Sequence, residues 1–345
     1  MTIVMRRAAP VLAALGLGIV LAGAGDARAQ DPGAFLKGET VRFYVGFSPG
    51  GGYDSYARML APHFEKATGA TVVVENRPGG GGNTALNQLV RGKPDGLTVM
   101  MLNGEAAIMG QLTGSPGVAY DMAKVAVLGR VTDEQHLLIV RPGLPDTLQD
   151  LVAGGQKLKF SATGRPDNLA DYAAVMCDAL QMNCQIVTGY KGSKECGLAV
   201  MNGEVDALTI SEGSAVEYAQ GGRAKVIAAI GTKRSELAPN VPLLQETFQI
   251  APERKWALDL RLNIKAYGRV MVGPPGLPPE RLAHLQKVWR EILNNPEVKA
   301  EGARTQRPLN YEEPAKLQQT VRELLETLPA DKRKDFNEIL LKKFS

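Results

Sequence analysis

The sequence predicts an α/β protein of two lobes with a ligand cleft between them. Three observations lead there. Short β-branched runs are followed by helical periodicity, the turns after them are rich in glycine, and the same unit returns in the second half of the chain. Strands alternating with helices imply parallel sheets, which bind ligands at the loops beyond the carboxyl ends of their strands. Glycine loops on two facing lobes imply a cleft that closes by hinged motion.

The first unit is a strand at residues 41–47, the turn Ser48-Pro-Gly-Gly-Gly52, and a helix on which Tyr56, Met59, Leu60 and Phe64 recur at helical spacing. Such a loop aims backbone N–H groups and the positive end of a helix dipole at one spot, so it should hold an anion, phosphate or carboxylate. Asp54 stands where it can cap the helix or accept from a ligand's amino or hydroxyl group. A second unit follows, with a strand at 71–75, the loop Asn76-Arg-Pro-Gly-Gly-Gly-Gly-Asn83, and a helix carrying Leu86, Leu89 and Val90. The third strand, 97–102, ends in Asn103-Gly104-Glu105. These three loops should share one rim.

The strand 136–140 and its turn Arg141-Pro-Gly-Leu-Pro145 mark the crossing into a second lobe. There, a strand at 157–161, the loop Ala162-Thr-Gly-Arg-Pro-Asp-Asn168 and a helix at about 169–180 repeat the opening unit. Residues 185–187 and the loop Thr188-Gly-Tyr-Lys-Gly-Ser193 repeat it again. Strands at 206–210 and 226–230 follow, the latter leading back. From Thr232 onward the expected elements are a short strand at 270–272, amphipathic helices at 279–293 and 313–328, and a charged helix at 331–345, docked or frayed. The division expected is lobe 1 at 30–134 and 231–345, and lobe 2 at 135–230.

Residues 1–29 have the features of a signal peptide: basic Arg6 and Arg7, an apolar stretch at 8–25, and the small-x-small site Ala27-Arg-Ala29. Cleavage after Ala29 would place the mature chain in the periplasm. With that segment gone the formal net charge falls from +4 to +2, too small to argue for a nucleic-acid partner. In an exported protein with three cysteines a bridge between Cys177 and Cys184 is plausible, since they flank a short hop from helix to strand. Cys196 would then be free, although spacing alone leaves three reduced thiols open.

Gly46-Phe-Ser-Pro-Gly50 satisfies the G-x-S-x-G pattern of serine hydrolases in the setting that motif requires. The residue after the serine is Pro49, however, which has no N–H to give an oxyanion hole; losing one such donor costs about 2.7–4 kcal/mol of transition-state stabilisation. Phosphate-loop and dinucleotide fingerprints are missing, and His63, His136 and His284 follow no metal-ligand spacing. No cofactor or metal is expected. Carboxylate capture suits the loops better, with the amides of 50–54 and the hydroxyls of Ser48, Ser161 and Thr163 as donors. Arg165 is either a bidentate clamp or a surface cation at a helix start, and Lys191 either a ligand contact or a solvated loop lysine.

The segment VRFYVGFSPGGGYDSYARML resembles the first ligand loop of the tripartite tricarboxylate transporter substrate-binding receptors, the Bug family, where a hydrophobic strand leads into a Pro-Gly-Gly-Gly-Thr-Asp turn. VVVENRPGGGGN, Pro94-Asp-Gly96 and YKGSKECGLAVMNGEVDAL are similar to later family segments, so the likeness spans nearly all of the mature chain. The resemblance implies a type II periplasmic-binding-protein fold and a monomeric receptor without catalysis, which passes small carboxylates to a membrane permease. By position it assigns Phe47, Ser48, Gly51, Gly52, Tyr53 and Asp54 to the first ligand loop. Asn103 falls on the same rim. Ser161, Ala162 and Thr163 match the second lobe's loop, with Tyr190 and Lys191 nearby. Tyr53 stands where the family usually has Thr, Thr163 replaces a glycine, and Asn168 stands where a His is common. The expected function is a receptor for a di- or tricarboxylate, an acidic amino acid or an aromatic acid. The alternatives are a secreted hydrolase using Ser48 and a periplasmic carboxylate sensor.

Overall fold

A computed structural model describes residues 1–2, 31–133, 135–165 and 167–345; the expected signal peptide and its cleavage point lie outside them. Among the described residues ten strands form two five-stranded sheets. The first holds β1 (Thr40–Val45), β2 (Thr71–Asn76), β3 (Thr98–Asn103) and β4 (Ala126–Thr132). The second holds β5 (His136–Val140), β6 (Leu158–Ser161), β7 (Cys184–Val187), β8 (Ala207–Ser211) and β9 (Lys225–Ile230), after which β10 (Arg269–Gly273) returns to the first. Strand order is β2-β1-β3-β10-β4 in one sheet and β7-β6-β8-β5-β9 in the other.

The two orders are the same topology used twice, and each sheet is mixed rather than purely parallel as the alternation suggested. β5 runs antiparallel to β8 and β9, and β10 antiparallel to β3 and β4. The cause is the crossing. In each sheet the reversed strand is the one that follows a passage from the other lobe, so its direction is set by where the chain enters. Strand β4 was not anticipated, although its seven residues are all buried.

Helices cover the sheets as the glycine turns direct. Gly52–Thr68 packs with the outer face of the first sheet, where Phe43, Phe64 and Trp289 meet at 5.1–5.6 Å between ring centroids and no solvent reaches them. The opposite face of that sheet, through Tyr44, Met100 and Val270, is continuous with the core of the second lobe. The helix Pro252–Ile264 packs on Asn168–Ala179, and the charged C-terminal segment docks there too. Its helix Ala330–Asn337 leads into a π turn at Glu338–Lys342, and the carbonyl of Phe344 accepts from the Ile186 N–H at 2.7 Å. Cys177 and Cys184 are joined by a disulfide with Cα atoms 6.3 Å apart, and Cys196 is a buried free thiol.

Candidate functional site

The strand ends of both sheets converge on a cavity lined from both lobes. The first lobe contributes Phe47 and Tyr53 from the turn after β1, Asn103 from the end of β3, and Arg269 from the start of β10. The second contributes His136, Asp167, Asn168, Leu169, Ser193, Ile210 and Ser211. A smaller recess adjoins it and shares Tyr53, His136, Asn168 and Arg269, adding Glu105 and Thr132.

Each wall has a local reason for its geometry. Phe47 and Tyr53 stack with centroids 4.7 Å apart because the glycine turn folds the chain back between them. The Arg269 guanidinium lies 4.0 Å over the Tyr53 ring and donates to Ser211 Oγ at 3.0 Å, so it joins the lobes and forms cavity wall at once. Behind it, Arg261 and Glu105 form a buried ion pair at 2.7 Å, further held by Asn168 and the Tyr172 hydroxyl. His136 stacks on Tyr172 at 4.0 Å. Burial, followed by the charges of Arg261, Lys265 and Arg269, pushes the His136 pKa well down, so its imidazole is neutral. Asp167 is buried and lifted to about 6 by desolvation, which outweighs the hydrogen bonds from the Thr163 hydroxyl and N–H.

Of the residues expected at the site, Phe47, Tyr53 and Asn103 line the cavity. Asn103 also caps the helix Gly104–Thr113 with its carbonyl, while its buried amide nitrogen has no hydrogen-bond partner among the described residues. Several of the others hold the loops behind the walls. Asp54 accepts from Gly50 N–H, Arg58 and Asn76, and these bonds outweigh burial to hold its pKa below the usual carboxylate value. It therefore ties the turn together.

Several expected loop donors are spent within the protein. Ser48 N–H donates to the Lys191 carbonyl at 2.8 Å, and Gly52 N–H to Ser193 Oγ at 3.3 Å, both across the two lobes. Gly51 presses on Ser193 Oγ, which a Cβ there would approach to 2.8 Å. Ala162 N–H donates to Val187, Ser161 Oγ to the Cys196 carbonyl, and Thr163 to Asp167. The two lobes touch through these loops.

Two cations and one hydroxyl serve elsewhere. Arg165 does not reach the cavity: its guanidinium donates to the carbonyls of Leu340 and Phe344, capping the C-terminal segment, because acceptors left over at a helix end suit a fork of donors. Lys191 is exposed, with its N–H on Glu195, and Tyr190 donates to Glu204. The Ser48 hydroxyl is buried without a hydrogen-bond partner among the described residues. His284 stacks edge-on against Phe35 at 6.0 Å on the outer helix Pro279–Asn294.

The cavity residues not anticipated, chiefly Arg269, His136, Asn168 and Ser211, come from strand ends and a helix start far apart in sequence. A cation opening the apolar run Val270–Val272 was the one available signal.

A family model described as the tripartite tricarboxylate transporter family receptor matches residues 56–323. The BugT protein of Bordetella pertussis is 26% identical over 244 residues, covering 68% of this chain and 73% of its own. Among solved structures, the periplasmic binding protein BugD superimposes with a TM-score of 0.72 at 22% identity, over 87% of this chain and 97% of that one. MatC of Rhodopseudomonas palustris with bound malate gives 0.70 at 20% identity, over 88% and 99%. A second R. palustris protein, with adipate, gives 0.73 at 19%, over 87% and 97%.

Proposed function

This chain belongs to the tripartite tricarboxylate transporter receptor family, and from that premise we propose that it is a periplasmic receptor that closes its two lobes on a small organic carboxylate and delivers it to a membrane permease. The observation that carries the reading is the cavity itself: loops from both lobes meet around it, the place between domains where small-molecule sites commonly form, and a buried guanidinium is part of the wall. Structural neighbours, one with bound malate and one with adipate, support the same ligand chemistry. Binding proceeds without turnover. Support for this comes from Ser48, whose hydroxyl has no base beside it among the described residues and whose successor, Pro49, supplies no oxyanion donor. The molecule works as an exported monomer, with residues 30–134 and 231–345 as one lobe and 135–230 as the other.

The test is a thermal-shift screen of the mature chain against mono-, di- and tricarboxylates, acidic amino acids and aromatic acids. A ligand that binds only the folded state raises its melting temperature by mass action. At least one carboxylate should do so and be recovered unchanged afterwards. If none shifts the melting temperature, the ligand class is wrong; turnover of an ester that Ser48→Ala abolishes would establish the hydrolase instead.

A further inference from the structure

We propose that Asn103 and His136 read an uncharged hydroxyl on the ligand, so that the receptor takes a hydroxy acid in preference to the same acid without the hydroxyl. This rests on the carboxylate-receptor reading of the same site and narrows it.

Both residues belong to the cavity wall, Asn103 from the first lobe and His136 from the second. Asn103 is 3% exposed and His136 5%, and each leaves a buried polar atom without a hydrogen-bond partner among the described residues: the amide nitrogen of Asn103 and Nδ1 of His136. Buried polar atoms are as a rule hydrogen-bonded, so two orphans in one wall point to a ligand group that meets them. The two residues flank one contact between the lobes. Asn103 is the register partner of Arg269 and His136 that of Ser211, and the Arg269 guanidinium donates to Ser211 Oγ.

Each side chain is held before a ligand arrives. The Asn103 side-chain oxygen accepts from the Ala106 N–H at 3.2 Å, capping the helix Gly104–Thr113. Turning the amide over would set two donors against each other, so the cap leaves the NH2, a donor only, for the ligand. The His136 ring stacks on Tyr172 at 4.0 Å, and Tyr172 is fixed in turn by the Arg261 guanidinium 3.9 Å from its ring and by Glu105. Burial, and after it the charges of Arg261, Lys265 and Arg269, keep the imidazole unprotonated. A neutral imidazole carries one donor and one acceptor nitrogen.

A fixed donor beside a group with a free lone pair selects a hydroxyl. Its oxygen accepts from the Asn103 amide, and its hydrogen goes to the imidazole. A ketone oxygen accepts from the amide equally well but has no hydrogen to give, and a methylene satisfies neither group.

Isothermal titration of the mature protein with three matched series decides the matter: lactate, propionate and pyruvate; malate, succinate and oxaloacetate; mandelate, phenylacetate and phenylglyoxylate. Within a series only the oxygen on the carbon next to the carboxylate changes. In every series that binds, the hydroxy acid should bind at least about tenfold more tightly than the acid lacking the hydroxyl, which leaves buried polar atoms unpaired, and more tightly than the oxo acid. His136→Phe keeps a ring on Tyr172 and removes the nitrogens, and Asn103→Ser keeps a capping hydroxyl and removes the amide. Each should bring the ratio of hydroxy to plain acid to within about threefold of one, whereas a merely structural role would weaken both acids alike and leave the ratio unchanged. Should His136→Phe fail to fold by circular dichroism, Asn103→Ser and the ratios of the parent protein decide. A plain or oxo acid that binds as tightly as its hydroxy counterpart would overturn the hydroxyl preference while leaving the receptor reading intact, as would binding of other carboxylates but of none in these series. A ratio preserved in either variant would remove that residue from the role. Failure of every carboxylate to bind would remove the receptor reading, and this inference with it.

Discussion

Asp171 is wholly buried on the helix Asn168–Ala179, and neither carboxylate oxygen has a hydrogen-bond partner among the described residues. Burial pushes its pKa up to about 7, with the Asp167 charge adding to the rise and Arg261 opposing it. A carboxyl whose folded pKa exceeds its unfolded value keeps a proton that the unfolded chain releases. Stability from this group is therefore full below about pH 4 and declines as pH rises to about 7. Asp167, lifted to about 6, acts in the same direction over pH 4–6, whereas His136, held neutral, favours the unfolded chain as pH falls below its ordinary range. Asp171→Asn removes one of these slopes. We expect the variant to be more stable than the parent at pH 8 by on the order of a few kcal/mol, with the difference shrinking towards pH 5. Urea denaturation at both pH values measures it, and a difference that does not change with pH would show that Asp171 is ionised in the folded state.

The elements around that helix are tied at both ends. At its carboxyl end Cys177 bridges to Cys184 at the start of β7, a sequence separation of 7. A loop this short limits the unfolded chain modestly, so replacing both cysteines by alanine should cost about 2–3 kcal/mol, and denaturant titration with and without reductant should show reduction costing the parent alone. At its amino end, the loop residue Arg165 clasps the C-terminal segment, so that segment is anchored to the second lobe. Strands followed by glycine loops, as in β1, β2 and β6, were legible because β-branched runs and φ-permissive turns are local signals. The reversed direction of β5 and β10 was not, because it depends on where the chain enters the opposite sheet. The site divides the same way. Phe47, Tyr53 and Asn103 lie on loops whose chemistry is written consecutively, whereas Arg269 and Ser211 become neighbours only when strands 58 residues apart in sequence end side by side. Arg165, read as either a clamp or a surface cation, meets the carbonyls of Leu340 and Phe344, which nothing local to it reveals.

Across the whole molecule, closure depends on backbone meeting backbone, and that leaves a way to separate closing from folding. Gly192 lies in the second lobe against the first-lobe turn. A Cβ added there would sit 2.5 Å from Ser48 Oγ and 3.2 Å from the Ser48 nitrogen, at the point where Ser48 N–H meets the Lys191 carbonyl. The backbone at Gly192 is extended, with φ of 178°, so a side chain there strains the contact between lobes and not the local chain. Gly192→Val should therefore leave each lobe folded while raising the energy of the closed form. Overpacking of this kind costs about 1–3 kcal/mol, which lowers the apparent affinity for any carboxylate that raises the melting temperature by roughly 5- to 150-fold. Only the closed fraction binds fully, so the loss should appear without a matching fall in the ligand-free melting temperature. Small-angle scattering with saturating ligand should show the parent contracting and the variant contracting less at the same concentration. Equal affinity and equal contraction would mean that the ligand is held with the lobes apart at this contact, and that the closed arrangement is not the binding form.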